Sequence, residues 1–442
     1  MAQVLNVKNE LEKAPLSSRH WVLVAILGLV TLFDGYDVFK TGSMIPFVMK
    51  LWGLKPSQAG LLVSSGLVGF MVGSLIGGPI ADRIGRKPTL LGGLLLSSVL
   101  NLVTPLVATG LASFLACRVA TGVGLGMLLP LAVTMINESA PRRSTNMLVG
   151  CVMIGWSGGG MLAALAGGTL ARTYGWPALF WAAGSGIPIA LLCWAVLRES
   201  PRWLLLRDRQ AEAAKVVDWL VPGQGYGDAS FALNEDGGRR GSISMLFAPK
   251  VARSTVVVWL CAALSLFVIF GVSSWLPQTM IQRGETFGAS FMFGALLQFM
   301  AVIGGVACGI AADRMNRLHV LMACWVIAAL AVGGLAAMNM HWTNIAFVAV
   351  AGFFIMGAQP VLNNFVASLY DTEIRSTGVG WELGVGRLGG ILGPYIGGWL
   401  QQLYGGANSM FGAMALALAV SAMIIPLAVR RAPAPAPVAN AA

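Results

Sequence analysis

Charged residues are scarce in this chain. Only 11% of its 442 residues are Asp, Glu, Lys or Arg, whereas 57% are hydrophobic. Soluble domains carry about 25% charged residues, and a large soluble protein this poor in charge could not cover its surface. The composition therefore predicts a polytopic membrane protein. The formal net charge of +11 does not indicate nucleic-acid binding, because the basic residues lie mostly between the apolar segments.

Groups typical of enzyme sites are also few. The sequence has no metal-ligand cluster, no nucleophile constellation and no phosphate-binding loop, so we expect neither an enzyme nor a cofactor. The three histidines lie near the ends of apolar segments, which leaves no imidazole at mid-membrane to carry a proton. The six cysteines lack C-x-x-C spacing, and we expect small membrane hydrophobes rather than disulfides or metal ligands. These residues are His20, His319, His341, Cys117, Cys151, Cys193, Cys261, Cys308 and Cys324.

Long hydrophobic runs are abundant, and twelve of them can cross a bilayer as helices. They lie near 21–48, 58–80, 88–108, 112–137, 145–170, 176–197, 254–280, 287–311, 319–338, 343–369, 376–402 and 407–429. Residues 1–20 are polar and do not read as a cleavable signal peptide. We expect a terminal tail at 1–20, a six-helix bundle at 21–197, a linker at 198–252, a second six-helix bundle at 253–430 and a tail at 431–442.

The Lys and Arg positions predict the orientation. If both termini are cytoplasmic, nearly all the basic residues outside the spans fall on the cytoplasmic side, as the positive-inside rule requires. The exceptions on the opposite side are Lys50, Lys55, Arg172 and Arg283, and Lys40, Arg118 and Arg387 lie within spans.

The linker begins with a helix signal. Ser200 suits an N-cap and Pro201 suits the first helical position. The stretch from Leu204 to Leu220 mixes apolar and basic residues, as an interfacial helix would. Gly and Pro residues at 222–225 and 236–238 predict a loop, and the Ala-Pro repeat at 432–437 predicts an extended end.

The two halves of the chain repeat each other. Residues 78–87 read G-P-I-A-D-R-I-G-R-K and recur at 309–317 as G-I-A-A-D-R-M-N-R, an offset of 231. An R-S-T triplet recurs from Arg143 to Arg375, an offset of 232, and a Gly-Gly pair recurs from Gly167 to Gly397, an offset of 230. Two six-helix halves related by an axis along the membrane normal are therefore expected.

These residues resemble a known family. The G-x-x-x-D-R-x-G-R-K motif between spans two and three is similar to that of the major facilitator superfamily, over residues of about 20–430. Within it, D-G-Y-D at Asp34–Asp37 and T-E-I-R-S-T-G-V-G followed by G-R-L-G around Arg387 resemble the aromatic acid:proton symporters. The resemblance implies an all-α fold of twelve transmembrane helices in two pseudo-symmetric bundles, with spans one, four, seven and ten around a central cavity.

The implied activity is proton-coupled uptake of an aromatic carboxylate, such as a benzoate or hydroxybenzoate, by alternating access. The expected partners are a small organic anion, protons and the lipid bilayer of a bacterial inner membrane, with a monomer as the working unit and the proton gradient as the driving force. Three alternatives stay open: a non-aromatic organic acid, a sugar, and efflux by antiport. A sugar is suggested by E-S-P-R-W at 199–203, but two intramembrane arginines suit an anion better. Efflux is disfavoured because the G-P-x-x-G-G pattern lies in span eleven rather than span five.

Charged residues within the spans are the candidate proton sites, since each costs roughly 2.5–3.5 kcal/mol at mid-membrane. Asp34 is the expected proton carrier, and Asp37 is the expected partner of Arg118, either as a releasable pair or as a permanent structural one. Glu382 departs from the family pattern, and it could pair with Arg387, carry a second proton or face a hydrated vestibule. Lys40 is expected to extend its ammonium group toward the outer face.

Arg387 is the candidate for the substrate carboxylate, because guanidinium matches a carboxylate in a two-pronged geometry. Arg118 is its rival, and Arg387 could instead neutralise Asp34 or Glu382. Aromatic residues that could stack on a ring, and polar residues on the expected cavity helices, complete the candidates, although packing is an open alternative for each. They are Tyr36, Trp156, Trp275, Trp381, Gln278, Gln359 and Asn363, with Ser273, Ser274, Gln298 and Asn364 as further polar positions.

The charged loops are candidate gates. Asp82 could pair with Arg86 or with a helix N-terminus across the halves, and so hold the cytoplasmic side shut. Glu138 with Arg142 and Arg143, and Asp371 or Glu373 with Arg375, would be companion latches. The alternative is that the basic residues satisfy the positive-inside rule alone. The remaining gating candidates are Arg83, Lys87, Asp313, Arg314 and Arg317.

Overall fold

The computed structural model describes residues 5–223, 225–226, 229–232 and 243–429, and helices make up nearly all of it. The loop predicted at 236–238 and the tail predicted at 432–437 lie outside these residues. The terminal segment and first half contain β1 (Leu5–Asn6), α1 (Val7–Lys13), α2 (Ser18–Trp52), α3 (Pro56–Ile84), α4 (Arg86–Val107), α5 (Leu111–Ser139), α6 (Thr145–Gly168), α7 (Leu170–Tyr174), α8 (Pro177–Ala182) and α9 (Gly186–Val196). The linker and second half contain α10 (Pro201–Leu205), α11 (Gln210–Leu220), β2 (Phe231–Ala232), α12 (Ala252–Gln282), α13 (Phe287–Arg314), α14 (Arg317–Ala337), α15 (His341–Leu369), α16 (Thr372–Tyr404) and α17 (Ala407–Ile424).

Eleven helical segments of the described chain are long and apolar enough to cross a membrane. Three of them are composite: α6 with α7, α8 with α9, and α17 with the 3-10 turn that follows it. The twelfth span is α16, which has 33 residues and carries Glu382 and Arg387 among its polar side chains. It packs against α12 and α3, just as the other spans pack against their neighbouring helices. The predicted all-α fold of twelve spans is confirmed.

Glycines allow close helix packing in the first half. Gly66, Gly69 and Gly73 on α3 lie four or three residues apart and face Gly122 and Gly126 on α5. A Cβ at Gly69 would collide with the Val119 carbonyl, and a Cβ at Gly126 with that of Phe70. Spacing of this kind lets two backbones approach closely where lipid offers no hydrophobic driving force between helices.

The two halves meet through corresponding helices. The second span of one half packs against the eleventh span (α3 with α16), the fifth against the eighth (α6 with α13), and the first against the seventh (α2 with α12). We call the end of the bundle that carries the linker and the terminal segment the basic end, and the opposite end the far end.

Contacts between α3 and α16 run from the far end to the middle of the bundle. They begin at the first turn of α3 and include a hydrogen bond from Ser64 Oγ to the Ile391 carbonyl (2.6 Å). Nearer the basic end, the Phe70 ring of α3 lies 4.8 Å from the Arg387 guanidinium of α16.

The α6–α13 interface covers the same depth. Phe291 packs on Gly167 near the far end, and Gln298 packs on Gly160 at mid-helix. On the basic-end side of these contacts, no hydrogen bond or ion pair joins the two halves among the residues that the structure describes. The halves are thus closed against each other at the far end.

A small module forms at the basic end from sequence-distant parts. β1 pairs in parallel with β2, and α1 packs on α10 and α11 around a second hydrophobic core. The Tyr226 hydroxyl donates to Glu10 (2.5 Å), and the Ser17 hydroxyl donates to the Leu220 carbonyl (2.7 Å). The terminal segment and the linker therefore pack together as one folded unit. We call this unit the terminal module.

The linker helix begins as predicted. The Ser200 hydroxyl accepts the Trp203 backbone N–H, and Pro201 occupies the first turn. The single helix expected from Leu204 to Leu220 is wrong, because the chain breaks between α10 and α11, where Asp208 takes a positive φ of 56°.

Candidate functional site

One group of charged side chains forms a closed network inside the first half. Asp37 accepts hydrogen bonds from Lys40 Nζ (2.6 Å), from Arg118 (2.8 Å) and from the Asn101 amide, while Lys40 also donates to Asn101 Oδ1 (2.6 Å). None of the four residues is more than 2% exposed. The Phe180 ring covers the Lys40 ammonium at 4.5 Å. We call Asp37, Lys40, Asn101 and Arg118 the filled cluster.

The filled cluster confirms one predicted contact and overturns one prediction. Arg118 and Asp37 form the expected ion pair. Lys40 does not extend toward the outer face: it is fully buried, because Asp37 lies one helical turn away on α2 and Asn101 presents a second acceptor from α4. With two cations on one carboxylate, the charge of Arg118 is already partnered, which weakens it as the receptor for a substrate anion.

Asp34 has the opposite environment although it lies on the same helix. It is fully buried, and neither carboxylate oxygen has a hydrogen-bond partner among the described residues. Its neighbour Gly35 packs against the Trp156 carbonyl, where a side chain would collide. This close approach holds α6 beside Asp34.

Arg387 faces this region from the second half. Its guanidinium lies over the Phe70 ring, its Nη1 has no partner in the described chain, and its charge acts on Asp34 without a direct ion pair. Glu382 is fully buried, and its two oxygens are also unpartnered in the part of the chain that the structure covers. The expected Glu382–Arg387 pair and the hydrated vestibule are both wrong, because the helix turns the two side chains apart and encloses Glu382. We call Asp34 and Arg387, which come from opposite halves, the open charges.

Three aromatic rings meet beside the open charges, at the contact of α2, α6 and α12. Phe39 lies edge-on to Trp156 with centroids 4.9 Å apart, and Phe270 lies 6.2 Å from Phe39 and 6.3 Å from Trp156. We call these rings the aromatic cluster. Of the three, sequence reasoning named Trp156 as a candidate and missed Phe39 and Phe270, because an apolar ring in an apolar helix carries no distinguishing signal.

The other candidate aromatic residues have packing roles in this conformation. Trp275 is fully buried and donates to the Pro394 carbonyl (2.8 Å), and Tyr36 is 8% exposed and donates to the Leu179 carbonyl (3.0 Å). Trp381 stacks on Trp259 at 6.0 Å, near the basic end. Each of these side chains contacts a neighbour outside the aromatic cluster, and their assignment as stacking faces for a substrate stays a prediction.

Two of the polar candidates bind each other. Gln359 Nε2 donates to Asn363 Oδ1 (3.1 Å), and Gln359 Oε1 accepts from Ser265 (3.0 Å). Gln278 is half-buried in the last turns of α12, toward the closed far end. Their role in binding stays a prediction.

The predicted gate residues form a network within the first half. Arg86 is largely buried and contacts both Asp82 and Glu138 at 3.2 Å. The predicted Glu138–Arg142 latch is wrong: Glu138 is held by Arg86, and Arg142 lies 4.0 Å from Glu12 of the terminal module. These contacts stay on one side of the interface, so no bond of this network crosses between the halves among the described residues.

Glu199 belongs to this network, and sequence reasoning missed it. Its carboxylate accepts the backbone N–H groups of Arg86 (3.0 Å), Lys87 (3.1 Å) and Ser200 (2.8 Å), and so binds the N-terminus of α4, where an acid is favoured. Burial raises the pKa of Glu199, although these donors favour its charged form. Glu199 lies in the E-S-P-R-W stretch at 199–203, which as a sequence signal suggests a sugar substrate and does not indicate this contact.

The linker also contacts Asp82 and Arg83 through their backbones. Trp203 Nε1 donates to the Asp82 carbonyl (3.1 Å), and Arg207 donates to the Arg83 carbonyl (2.8 Å). Lys87 Nζ donates to the Trp194 carbonyl (2.7 Å). The first copy of the repeated motif is therefore fastened to α9 and α10.

The second copy of the motif has no such network. Asp313, Arg314 and Arg317 are exposed, and their side chains make no hydrogen bond or ion pair within the described ranges. The repeat offset of 232 places Tyr370 where the first half has Glu138. The second half therefore has no counterpart of the buried carboxylate that binds Arg86.

Arg375 is the remaining gate candidate in the second half. It donates to the Tyr370 carbonyl (3.4 Å) rather than to Asp371 or Glu373, so the predicted pair is wrong. A part in gating stays a prediction for Asp82, Arg83, Arg86, Lys87 and the second-copy residues alike.

Comparison with known proteins gives consistent results. The family model described as Major Facilitator Superfamily matches residues 27–340 and 288–442. The benzoate transport protein of Acinetobacter baylyi is 31% identical over 91% of this chain and 88% of the relative. The gallate transporter of Pseudomonas putida is 31% identical over 95% and 94%, and the 4-hydroxybenzoate transporter PcaK of Pseudomonas aeruginosa is 31% identical over 95% of each.

Solved structures show the same fold. The xylose transporter XylE from E. coli in an inward open conformation superposes with a TM-score of 0.72, at 17% identity, over 92% of this chain and 95% of that one. A bacterial homolog of the human lysosomal transporter Spinster superposes with a TM-score of 0.67, at 18% identity, over 93% and 95%.

Proposed function

Because this chain belongs to the Major Facilitator Superfamily, we propose that it carries an aromatic carboxylate, such as a benzoate or hydroxybenzoate, across the bacterial inner membrane together with protons. Relatives named for benzoate, gallate and 4-hydroxybenzoate, each matched over 88% or more of their length, support the aromatic substrate. The chain is a membrane transporter and not an enzyme.

One observation carries the proposal: Asp34 and Arg387 are unpartnered at hydrogen-bonding atoms, come from opposite halves and lie beside the aromatic cluster. Unsatisfied charge is expensive at this depth, so an intramembrane ionisable group without a fixed partner is a functional-site candidate. Arg387 offers the two-pronged donor that a carboxylate fits. Phe39, Trp156 and Phe270 offer ring faces for the aromatic body.

Charge balance supports coupling to a proton. The spans contain three acids (Asp34, Asp37, Glu382) and three bases (Lys40, Arg118, Arg387), so they are formally neutral. A substrate anion alone would add an uncompensated negative charge. A proton bound with it, on Asp34, restores neutrality and removes the competing anion from Arg387. Asp34 and the substrate carboxylate therefore exchange roles as the counter-charge to Arg387.

The orientation follows from the basic end. By the positive-inside rule the linker, the motif loops and both termini lie in the cytoplasm. Closure at the far end then corresponds to a state open to the cytoplasm, from which substrate and proton leave. The monomer is the working unit, and the proton gradient is the driving force.

The test is uptake into proteoliposomes that contain the purified transporter, with labelled benzoate, 4-hydroxybenzoate, xylose and an aliphatic diacid. We expect accumulation of the aromatic acids when the outside is acidic, and its loss when a protonophore collapses the gradient. Accumulation of xylose or the diacid in preference to both aromatic acids would contradict the proposed substrate class.

A further inference from the structure

Gln298 lies on α13 where that helix packs on Gly160 of α6, and it has no hydrogen-bond partner among the described residues. It is 3% exposed, and both its amide nitrogen and its amide oxygen lack hydrogen bonds within the residues that the structure describes. Buried side-chain amides are nearly always paired, and an unpaired one is expensive. Its Nε2 and the Phe39 ring both lie against the position that a Cβ on Gly160 would take. Glycine at 160 therefore leaves the space in which Gln298 reaches the aromatic cluster.

Trp156 presents a second unpartnered group in the same place. Its indole Nε1 is buried without an acceptor in the described chain, while its ring packs on Phe39 and Phe270. The aromatic cluster is thus lined by one unused N–H donor from α6 and one unused amide, donor and acceptor together, from α13.

Lack of a partner is not by itself the distinguishing feature. Gln401 Oε1 and the indole nitrogen of Trp325 are also buried and unpartnered. Those two side chains lie inside the second half, on α16 beside α17 and on α14. Gln298 and Trp156 differ because both groups lie at one aromatic cluster, beside the contact of α6 and α13 from the two halves.

From this juxtaposition we propose that Gln298 and Trp156 form a subsite that binds a ring hydroxyl of the substrate. A phenolic hydroxyl both donates and accepts. Its proton suits Gln298 Oε1, and its oxygen suits the Trp156 indole N–H. An unsubstituted ring satisfies neither group, and a substituent that accepts alone satisfies one. Sites built to hydrogen-bond a substrate hydroxyl reject the analogue that lacks it.

This inference rests on the proposed function, and it adds which substituent is read and by which residues. Arg387 receives the carboxylate from the α3–α16 interface, while the hydroxyl is read at the separate α6–α13 interface. Selectivity among aromatic acids and affinity for the carboxylate then reside in different helices.

The experiment measures the affinity of the wild type and of Gln298→Met for benzoate and 4-hydroxybenzoate, by competition with labelled substrate in proteoliposomes. We expect Gln298→Met to weaken 4-hydroxybenzoate binding about tenfold and to change benzoate binding by less than about threefold, because a lost hydrogen bond affects the hydroxylated ligand alone. Trp156→Phe keeps a ring and removes the N–H, so it should shift selectivity in the same direction by a smaller factor.

The matched controls are Gln401→Met and Trp325→Phe, which remove equally buried groups away from the aromatic cluster and should leave the selectivity ratio unchanged. Equal changes for both acids in Gln298→Met and Trp156→Phe, or no change in either, would overturn the subsite while leaving the proposed function intact. A wild type that binds neither acid would overturn the proposed function, and the subsite with it.

Discussion

Asp34 and Asp37 are three residues apart on one helix and equally buried, yet their hydrogen-bond partners differ completely. Asp37 accepts hydrogen bonds from Lys40, Arg118 and Asn101, all within the first half. Asp34 accepts none from the described residues, and the cation that acts on it belongs to the other half. A carboxylate whose partners all lie in its own half keeps the same environment when the halves move. The environment of a carboxylate that interacts with the other half changes.

The comparison distinguishes charges that stabilise the fold from charges that take part in transport. The filled cluster joins α2, α4 and α5, so it fixes the first half as a rigid body. Asp34 lies on α2 and Arg387 on α16, in opposite halves, so the interaction between their charges changes whenever α16 shifts relative to α2. Substitutions in the first group should therefore affect folding, and substitutions in the second group should affect transport.

The largest effect is expected from breaking the filled cluster. Asp37→Leu leaves Lys40 and Arg118 buried together without a counter-charge, and removing one partner of a buried ion pair costs about 3–5 kcal/mol. We expect little folded protein, measured as the monodisperse yield in detergent and as the thermal unfolding midpoint. Asp34→Leu is the control on the same helix and should stay folded. A wild-type unfolding midpoint for Asp37→Leu would show that the cluster is not structural.

The next effect concerns the proton. Asp34→Asn keeps the size of the side chain and cannot bind or release a proton, so we expect loss of gradient-driven accumulation with folding retained. Exchange of labelled for unlabelled substrate across the membrane should persist, because it needs no net proton movement. Glu382→Gln is the matched control and should accumulate substrate normally. Gradient-driven accumulation by Asp34→Asn at the wild-type level would remove Asp34 from the coupling mechanism.

The smallest effect is expected at the carboxylate site. Arg387→Lys keeps the positive charge and loses the two-pronged geometry, so affinity for every aromatic acid should fall by about tenfold, or about 1.4 kcal/mol. Benzoate and hydroxybenzoate should be affected alike, measured by the competition assay. Arg83→Lys, at an exposed position near the basic end, should bind as the wild type does. Unchanged affinity in Arg387→Lys would place the carboxylate elsewhere.

The sequence predicted features that depend on depth and sign of charge. Hydropathy gave the twelve spans, and opposite charges at similar depth gave the Asp37–Arg118 contact. The prediction for Lys40 was wrong because the position of its ammonium group depends on Asn101. Asn101 lies on another helix, and nothing in the sequence around it indicates this contact. Glu138 was assigned to Arg142 because they are neighbours in the chain, whereas the fold brings Arg86 closer.

Other features had no signal to read. Phe39 and Phe270 are apolar residues in apolar helices, so their meeting is a product of tertiary packing. Gln298 was visible as a polar residue within a span, but its lack of a partner appears only when its neighbours are in place. Sequence therefore located the charges, and structure showed which of them are satisfied.

The terminal module has a consequence for how the protein is made. Leu5 is synthesised before its partner Phe231, which follows the whole first half roughly 11–45 s later at translation rates of about 5–20 residues per second. Val7 and Leu11 likewise lack their apolar partners on α10 and α11 until the linker is synthesised. The amino terminus thus closes on the linker only when six spans have been inserted, and its docking marks the completion of the first half before the second is translated.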